Sequence, residues 1–165
     1  MQKMHTKELI MKKALLQAQL AMRHNEVPIG AVIVDAGGVI IARGYNKIEA
    51  KNCQTAHAEI IAIQKACKKI GDWRLNGCWI YVTLEPCLMC IGLIQLSRIE
   101  GIVFAALSPL FGSGLSNPKN LPLYAKHLEI ERGIGEEKSI QLLQAFFKNK
   151  RKKRKGGSES EGRLY

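Results

Sequence analysis

The stretch "LEPCLMC", Leu84 to Cys90, sets a proline directly before one cysteine and a second cysteine three positions on. Farther up the chain, "TAHAEI" holds His57 and Glu59. A chain that places His57, Cys87 and Cys90 on one ion must bring two distant segments together, and few features restrict a fold so tightly. An imidazole and two thiolates form a borderline-soft donor set suited to zinc. Three protein ligands leave the fourth tetrahedral position for water, which is the arrangement of a catalytic ion.

Local spacing supports the meeting. Pro86 suits the first turn of a helix, where its missing N–H leaves nothing unpaired. Cys87 and Cys90, at i and i+3, then share one helix face, and the positive end of the helix favours thiolate over thiol. His57 likewise opens a helix, behind the candidate cap Thr55. Zn²⁺ with two thiolates and a neutral imidazole carries no net charge. Such an ion is a mild Lewis acid, and Glu59 is placed to accept a proton from the water beside it. Three plainer readings stand next to this one. Cys53 can close a structural site as a fourth ligand. Cys87 and Cys90 can form a thiol redox pair, which leaves His57 and Glu59 without a use. They can also be two cysteines buried within a helix, as Cys67 and Cys78 read as core residues.

Composition narrows the class of protein. A length of 165 residues, 47% hydrophobic and 24% charged, suits one globular domain. The 25 Lys+Arg outnumber the 14 Asp+Glu, a net charge of +11 that favours a polyanionic partner. Much of the excess gathers in Lys148, Lys150, Arg151, Lys152, Lys153, Arg154 and Lys155, either as a handle for phosphates or as a solvated tail. No apolar run approaches the roughly 20 residues that span a bilayer, and no secretory signal opens the chain. With five cysteines, an odd count, the expectation is reduced thiols in a cytoplasm.

Periodicity then orders the elements. A helix is expected over Thr6 to His24, and "IGAVIVDAGGVIIARGYN" reads as two strands around a Gly37-Gly38 turn. A second helix covers Ala56 to Ile70, "GCWIYVTLE" is a buried strand, "CLMCIGLIQL" a helix, and "GIVFAA" a further strand. A Gly-, Ser-, Pro- and Asn-rich loop follows from Leu107 to Pro122, then the strand "HLEIERGI". The last helix runs from about Glu136 to about Lys150 and docks through Ile140, Leu143 and Phe147. Alternating strands and helices predict a sheet covered on both faces, with parallel pairing across both strand–helix–strand crossovers. One domain spans 1–151, and the basic, then Gly/Ser-rich tail at 152–165 is expected to be disordered.

His57-Ala58-Glu59 followed by Pro86-Cys87-Leu88-Met89-Cys90 resembles the zinc-dependent cytidine/deoxycytidylate deaminase superfamily. Within it the chain is similar to the bacterial tRNA-specific adenosine deaminases. That narrower likeness is carried by "EVPIGAVIV", "GYN", "TAHAEI", "WRLNGCWIYVTLEPCLMC", "SRI" and "LLQAFFKNKR", which together run nearly from the first helix to Arg151. The resemblance implies a three-layer α/β/α fold around a central five-stranded mixed sheet, one Zn²⁺ per subunit, and a homodimer. It implies hydrolytic deamination of adenosine to inosine at the wobble position of a tRNA anticodon, by zinc-activated water with a glutamate proton shuttle. By the same likeness His57, Cys87 and Cys90 match the metal ligands and Glu59 the shuttle. Asn46 matches a residue that binds the inserted nucleoside. Phe147, Lys148, Lys150 and Arg151 match a terminal helix lying on the anticodon stem-loop.

Two places depart from that pattern. Where the tRNA enzymes commonly read Asp-Pro-Lys-x-Gly, this chain reads Ser108-Pro109-Leu110-Phe111-Gly112, and Lys126 stands where an asparagine is expected. The family's contacts to flanking nucleotides are therefore not carried over to the first loop. Two rival functions share the motifs. A deaminase of free guanine, cytosine or their nucleosides needs the same zinc set without the basic helix. A non-catalytic RNA-binding module would have no need of Glu59.

Overall fold

The computed structural model describes residues 6–114 and 128–156. Its elements run α1 (Lys7–Arg23), β1 (Gly30–Val34), β2 (Ile40–Tyr45), α2 (Ile48–Lys51), α3 (Ala58–Ile70), β3 (Trp79–Leu84), α4 (Leu88–Leu96), β4 (Gly101–Ala106), β5 (Glu129–Arg132) and α5 (Glu136–Gly156). The strands make one five-stranded mixed sheet in the order β2-β1-β3-β4-β5.

Strand alternation divides the core into two layers, because successive side chains point to opposite faces. Ile33, Ile80, Val82, Ile102 and Phe104 face α3 and α4, where they meet Ala62, Ile63, Ile91 and Ile94. Val32, Val34, Tyr81, Val103 and Ala105 face the other way, onto Ile10, Met11, Ala14 and Leu15 of α1 and Leu142 of α5. The expected three-layer α/β/α fold is thus present, with every position of β1 and β4 buried.

Two glycines set the spacing between sheet and helices. A Cβ on Gly30 would lie 2.1 Å from the Ala14 carbonyl oxygen, and one on Gly44 would lie 2.3 Å from that of Ala58. The backbones of α1 and α3 therefore rest directly on strands β1 and β2.

The Gly37-Gly38 turn joins β1 to β2 as an antiparallel hairpin, closed by Asp35, whose carboxylate accepts the N–H groups of Gly37 and Val39 at 3.0 and 2.9 Å. Thr6 caps α1 by accepting the Leu9 N–H at 3.3 Å. β3 and β4 pair in parallel across α4. The other expected parallel pair does not form. β3 runs in the direction of β2, but β1 lies between them, antiparallel to both. An all-apolar β1 belongs inside a sheet, whereas β2 exposes Arg43 and takes the edge.

The docking face of α5 also differs from expectation. Ile140 and Phe147 are exposed, while Ser139 and Phe146 are buried and Leu142 packs on the core. The helix is turned by one position, with Leu142 and Phe146 inward and the Ser139 hydroxyl donating to the Thr83 carbonyl at the end of β3. α5 also continues beyond the expected Lys150 to Gly156, its acidic start and basic end both favoured by the helix dipole. The remainder of the tail at 157–165, Lys126, and the second half of the loop after Gly114 lie outside the described residues. Among those described, no helix is long and apolar enough to cross a membrane.

Candidate metal centre and active site

His57 and Cys87 each stand at the threshold of a helix. His57 is the N-cap of α3, extended at φ −72° and ψ 153°. Cys87 is the N-cap of α4, at φ −72° and ψ 170°. Pro86 consequently precedes the cap rather than opening the first turn, and Cys90 sits in that turn. Thr55 does not cap α3. Its hydroxyl lies 3.1 Å from the Cys53 sulfur. The cap comes from a distance: Asn46, just beyond β2, accepts the Ala58 N–H through Oδ1 at 2.9 Å, satisfying one of the donors a helix start leaves unpaired.

These placements bring the predicted ligands together. His57 Nδ1 lies 3.8 Å from Cys87 Sγ and 3.4 Å from Cys90 Sγ. A tetrahedral ion with Zn–N of about 2.0 Å and Zn–S of about 2.3 Å separates such ligands by ~3.6 Å, so the donor set fits zinc. Among the described residues, His57, Cys87 and Cys90 are the one group of His, Cys, Asp or Glu side chains gathered closely enough to hold a metal ion. Cys53, the candidate for closing the site, is exposed and outside the group. All five cysteines are free. Cys78 is a core residue, and Cys67 is half-buried, packed against the same core at the edge of a surface groove.

Charge at the site follows from those contacts. Hydrogen bonds from Cys90 and then His57 push the Cys87 thiol down to about 4. The same hydrogen bond, with burial, raises the Cys90 thiol above its ordinary value. Hydrogen bonding to Cys87 raises the imidazole of His57. The cluster is thus already arranged around a thiolate, the form that binds metal.

Glu59 completes the group. It is 3% exposed in the first turn of α3, and burial raises its carboxyl above the usual carboxylate range. Its Oε2 is buried with no hydrogen-bond partner among the described residues. An orphaned acceptor beside an anionic sulfur is unfavourable unless a cation or a proton-bearing group sits with it, which supports the metal assignment independently of ligand spacing.

The remaining predicted residues fall into two sets. Asn46 is 2% exposed, with its carbonyl oxygen committed to α3. Phe147, Lys150 and Arg151 line one groove of about 470 Å³ together with Phe146, Ile48 and Glu26, so α5 faces the loop that follows Asn46. Lys148 is exposed on the same helix but does not line the groove.

Sequence reasoning missed Glu26, whose buried carboxylate accepts the N–H groups of Glu49 and Ala50 at 3.2 and 2.8 Å and so holds the loop between Asn46 and His57. Its signal was an acid at the head of an otherwise apolar strand segment. It also missed Glu85, which accepts the Ser108 N–H at 3.1 Å and ties the next loop to the cysteine segment.

Comparison with known proteins agrees with this geometry. The family described as the cytidine and deoxycytidylate deaminase zinc-binding region matches residues 4–106. The tRNA-specific adenosine deaminase of Bacillus subtilis (strain 168) is 45% identical over 155 residues, covering 93% of this chain and 96% of that protein. A solved structure from work on A-to-I editing by tRNA:A34 deaminases is 38% identical with a TM-score of 0.72, covering 81% of this chain and 98% of that one. The guanine deaminase of Bacillus subtilis is 29% identical with a TM-score of 0.62, covering 95% and 99%. Matched over most of its length in sequence and in fold, the chain belongs to the zinc-binding cytidine and deoxycytidylate deaminase family, among the tRNA-specific adenosine deaminases.

Proposed function

We propose that this protein hydrolyses adenosine to inosine at the wobble position of a tRNA anticodon. The observation that carries the chemistry is the buried, unpartnered Glu59 oxygen beside the His57, Cys87 and Cys90 donors. One zinc ion per subunit, held by those three residues, supplies an acidified water as nucleophile when bound. Glu59 takes a proton from the attacking water and delivers it to purine N1, where it stays in inosine, and then carries the second proton from the oxygen added at C6 to the departing amine. Water adds at C6 as the C6–N bond breaks, so the products are inosine and ammonia. Asn46, its oxygen already bound to α3, offers its amide N–H₂ to the inserted nucleoside. Phe147, Lys148, Lys150 and Arg151 position the stem-loop through its phosphates and one exposed ring.

An anticodon stem-loop bearing wobble adenosine, incubated with the purified protein, should yield inosine. Free guanine is the competing substrate suggested by the guanine deaminase fold neighbour. Ammonia release from guanine, with none from the stem-loop, would replace the tRNA reading.

We also infer a homodimer in the cytoplasm. A groove of about 750 Å³ lies between α3 and α4, away from the metal donors. Trp73 and Leu96 are exposed along it, and the amide of Gln95 is buried there without a hydrogen-bond partner among the described residues. A second copy supplies both apolar cover and amide partners. Leu96→Asp should convert a dimer to a monomer in sedimentation. An unchanged dimer would place the interface elsewhere.

A further inference from the structure

The loop after β4, one of the two places where the sequence departs from the pattern its resemblance implies, is built onto the metal segment. The Glu85 N–H donates to the Ala106 carbonyl at 2.8 Å, and the Ser113 N–H donates to the Pro86 carbonyl at 3.0 Å. Between those ties the Ser108 N–H reaches the Glu85 carboxylate, and the Gly112 N–H closes back on the Ser108 carbonyl at 2.9 Å. Gly112 is pressed so closely on Glu85 that an added Cβ would lie 2.3 Å from its Oε2. The loop therefore has a fixed seat on the two residues that precede the metal ligand Cys87.

What that seat holds out is apolar. Leu110 is 86% exposed and Phe111 77% exposed, the two most exposed large hydrophobic side chains among the described residues. From Leu107 to Gly114 the loop carries no charged residue, so it offers phosphates no cationic side chain. A flat ring and an aliphatic neighbour, tethered in water beside a site that acts on an extruded base, match the needs of another unpaired base. Extrusion of one nucleotide removes its neighbours' stacking partner, and aromatic side chains replace such partners without reading sequence.

We propose that Phe111, with Leu110 beside it, is a stacking platform for the unpaired base next to the deaminated adenosine. The proposal rests on the tRNA reading above and deepens it. Phosphate contacts belong to α5, and this loop grips a base.

The test uses the zinc-loaded protein and a wobble-adenosine stem-loop. Phe111→Ala should raise KM roughly 5- to 100-fold, the range expected for losing one stacked base, with kcat changed by less than about threefold. Phe111→Trp should restore the native KM. Stem-loops with an abasic site on the 5′ or the 3′ side of the adenosine give a second arm that needs no variant. One of them should be weakened for the native protein and not weakened further by Phe111→Ala. Native KM in Phe111→Ala, or losses from the abasic site and the substitution that simply multiply, would overturn the platform while leaving the tRNA reading intact. A changed sedimentation coefficient with unchanged KM would assign the patch to contacts between copies and also overturn it. No inosine from the native protein would overturn the tRNA reading, and the platform with it.

Discussion

Glu59 is buried at a position where an ionised carboxylate is costly and an orphaned oxygen more so. That cost is the sign of a group held for chemistry rather than for stability. Glu59→Gln should retain zinc, since its side chain is not in the donor triad, and should lose about 10²- to 10⁴-fold in kcat, the range for removing a general acid–base. Metal analysis beside single-turnover rates checks both, and zinc lost with activity would make Glu59 an anchor of the site instead. The same residue predicts a pH dependence in the metal-free protein. Burial raises its folded value above the ordinary 4.5, so the folded state keeps a proton that the unfolded chain releases. The stability contributed by the neutral carboxyl is full below pH 4.5 and is lost as pH rises through the folded value. Metal-free Glu59→Gln should therefore gain on the metal-free native protein as pH climbs. Thermal midpoints that stay a constant distance apart between about pH 4 and about pH 8 would contradict this.

Helix α3 shows how an element sets a site. Its first turn carries Glu59, its N-cap is His57, its first N–H is held by Asn46, and its backbone rests on Gly44. None of these is adjustable alone, because a Cβ on Gly44 meets the Ala58 carbonyl oxygen at 2.3 Å and the Ala62 nitrogen at 2.8 Å. Gly44→Ala must push the start of α3 off the sheet. Its expected cost is about 1–3 kcal/mol by analogy with overpacked cores, together with weaker zinc retention, because His57 moves while Cys87 on α4 stays. Chelator competition reads the second effect. Lost stability with unaltered zinc affinity would mean that the site moves as a unit with α3.

Over the whole molecule, the metal donors lie where the N-termini of α3 and α4 meet, and the densest run of basic residues lies along α5, which also exposes Ile140 and Phe147. If α5 grips phosphates, Lys148→Ala with Arg151→Ala should weaken stem-loop binding most at low salt. It should also flatten the plot of log affinity against log salt by about one unit per contact removed. Both residues are exposed, so the fold should survive the change. An unaltered salt slope would move the phosphate contacts to another face.

Legibility in the sequence followed the range of the interactions. The α1 cap at Thr6, the hairpin at Gly38, the strand Gly101–Ala106 and the donor set His57, Cys87 and Cys90 rest on local periodicity, turn chemistry or ligand spacing, and all were readable. The insertion of β1 between β2 and β3 was not, because pairing partners compete across the whole sheet and only burial on both faces decides between them. The inward face of α5 differs by one position and includes Ser139, whose hydroxyl meets Thr83, a residue far away in sequence. Asn46 as the cap of α3 and Glu26 and Glu85 as loop clamps escaped notice for the same reason. By itself, then, the sequence determined which residues could bind the metal and which segments would be helix or strand, since those depend on donor chemistry and near neighbours. Tertiary structure alone decided how those segments are seated, because each buried N–H and carboxylate finds its partner only after distant parts of the chain have packed.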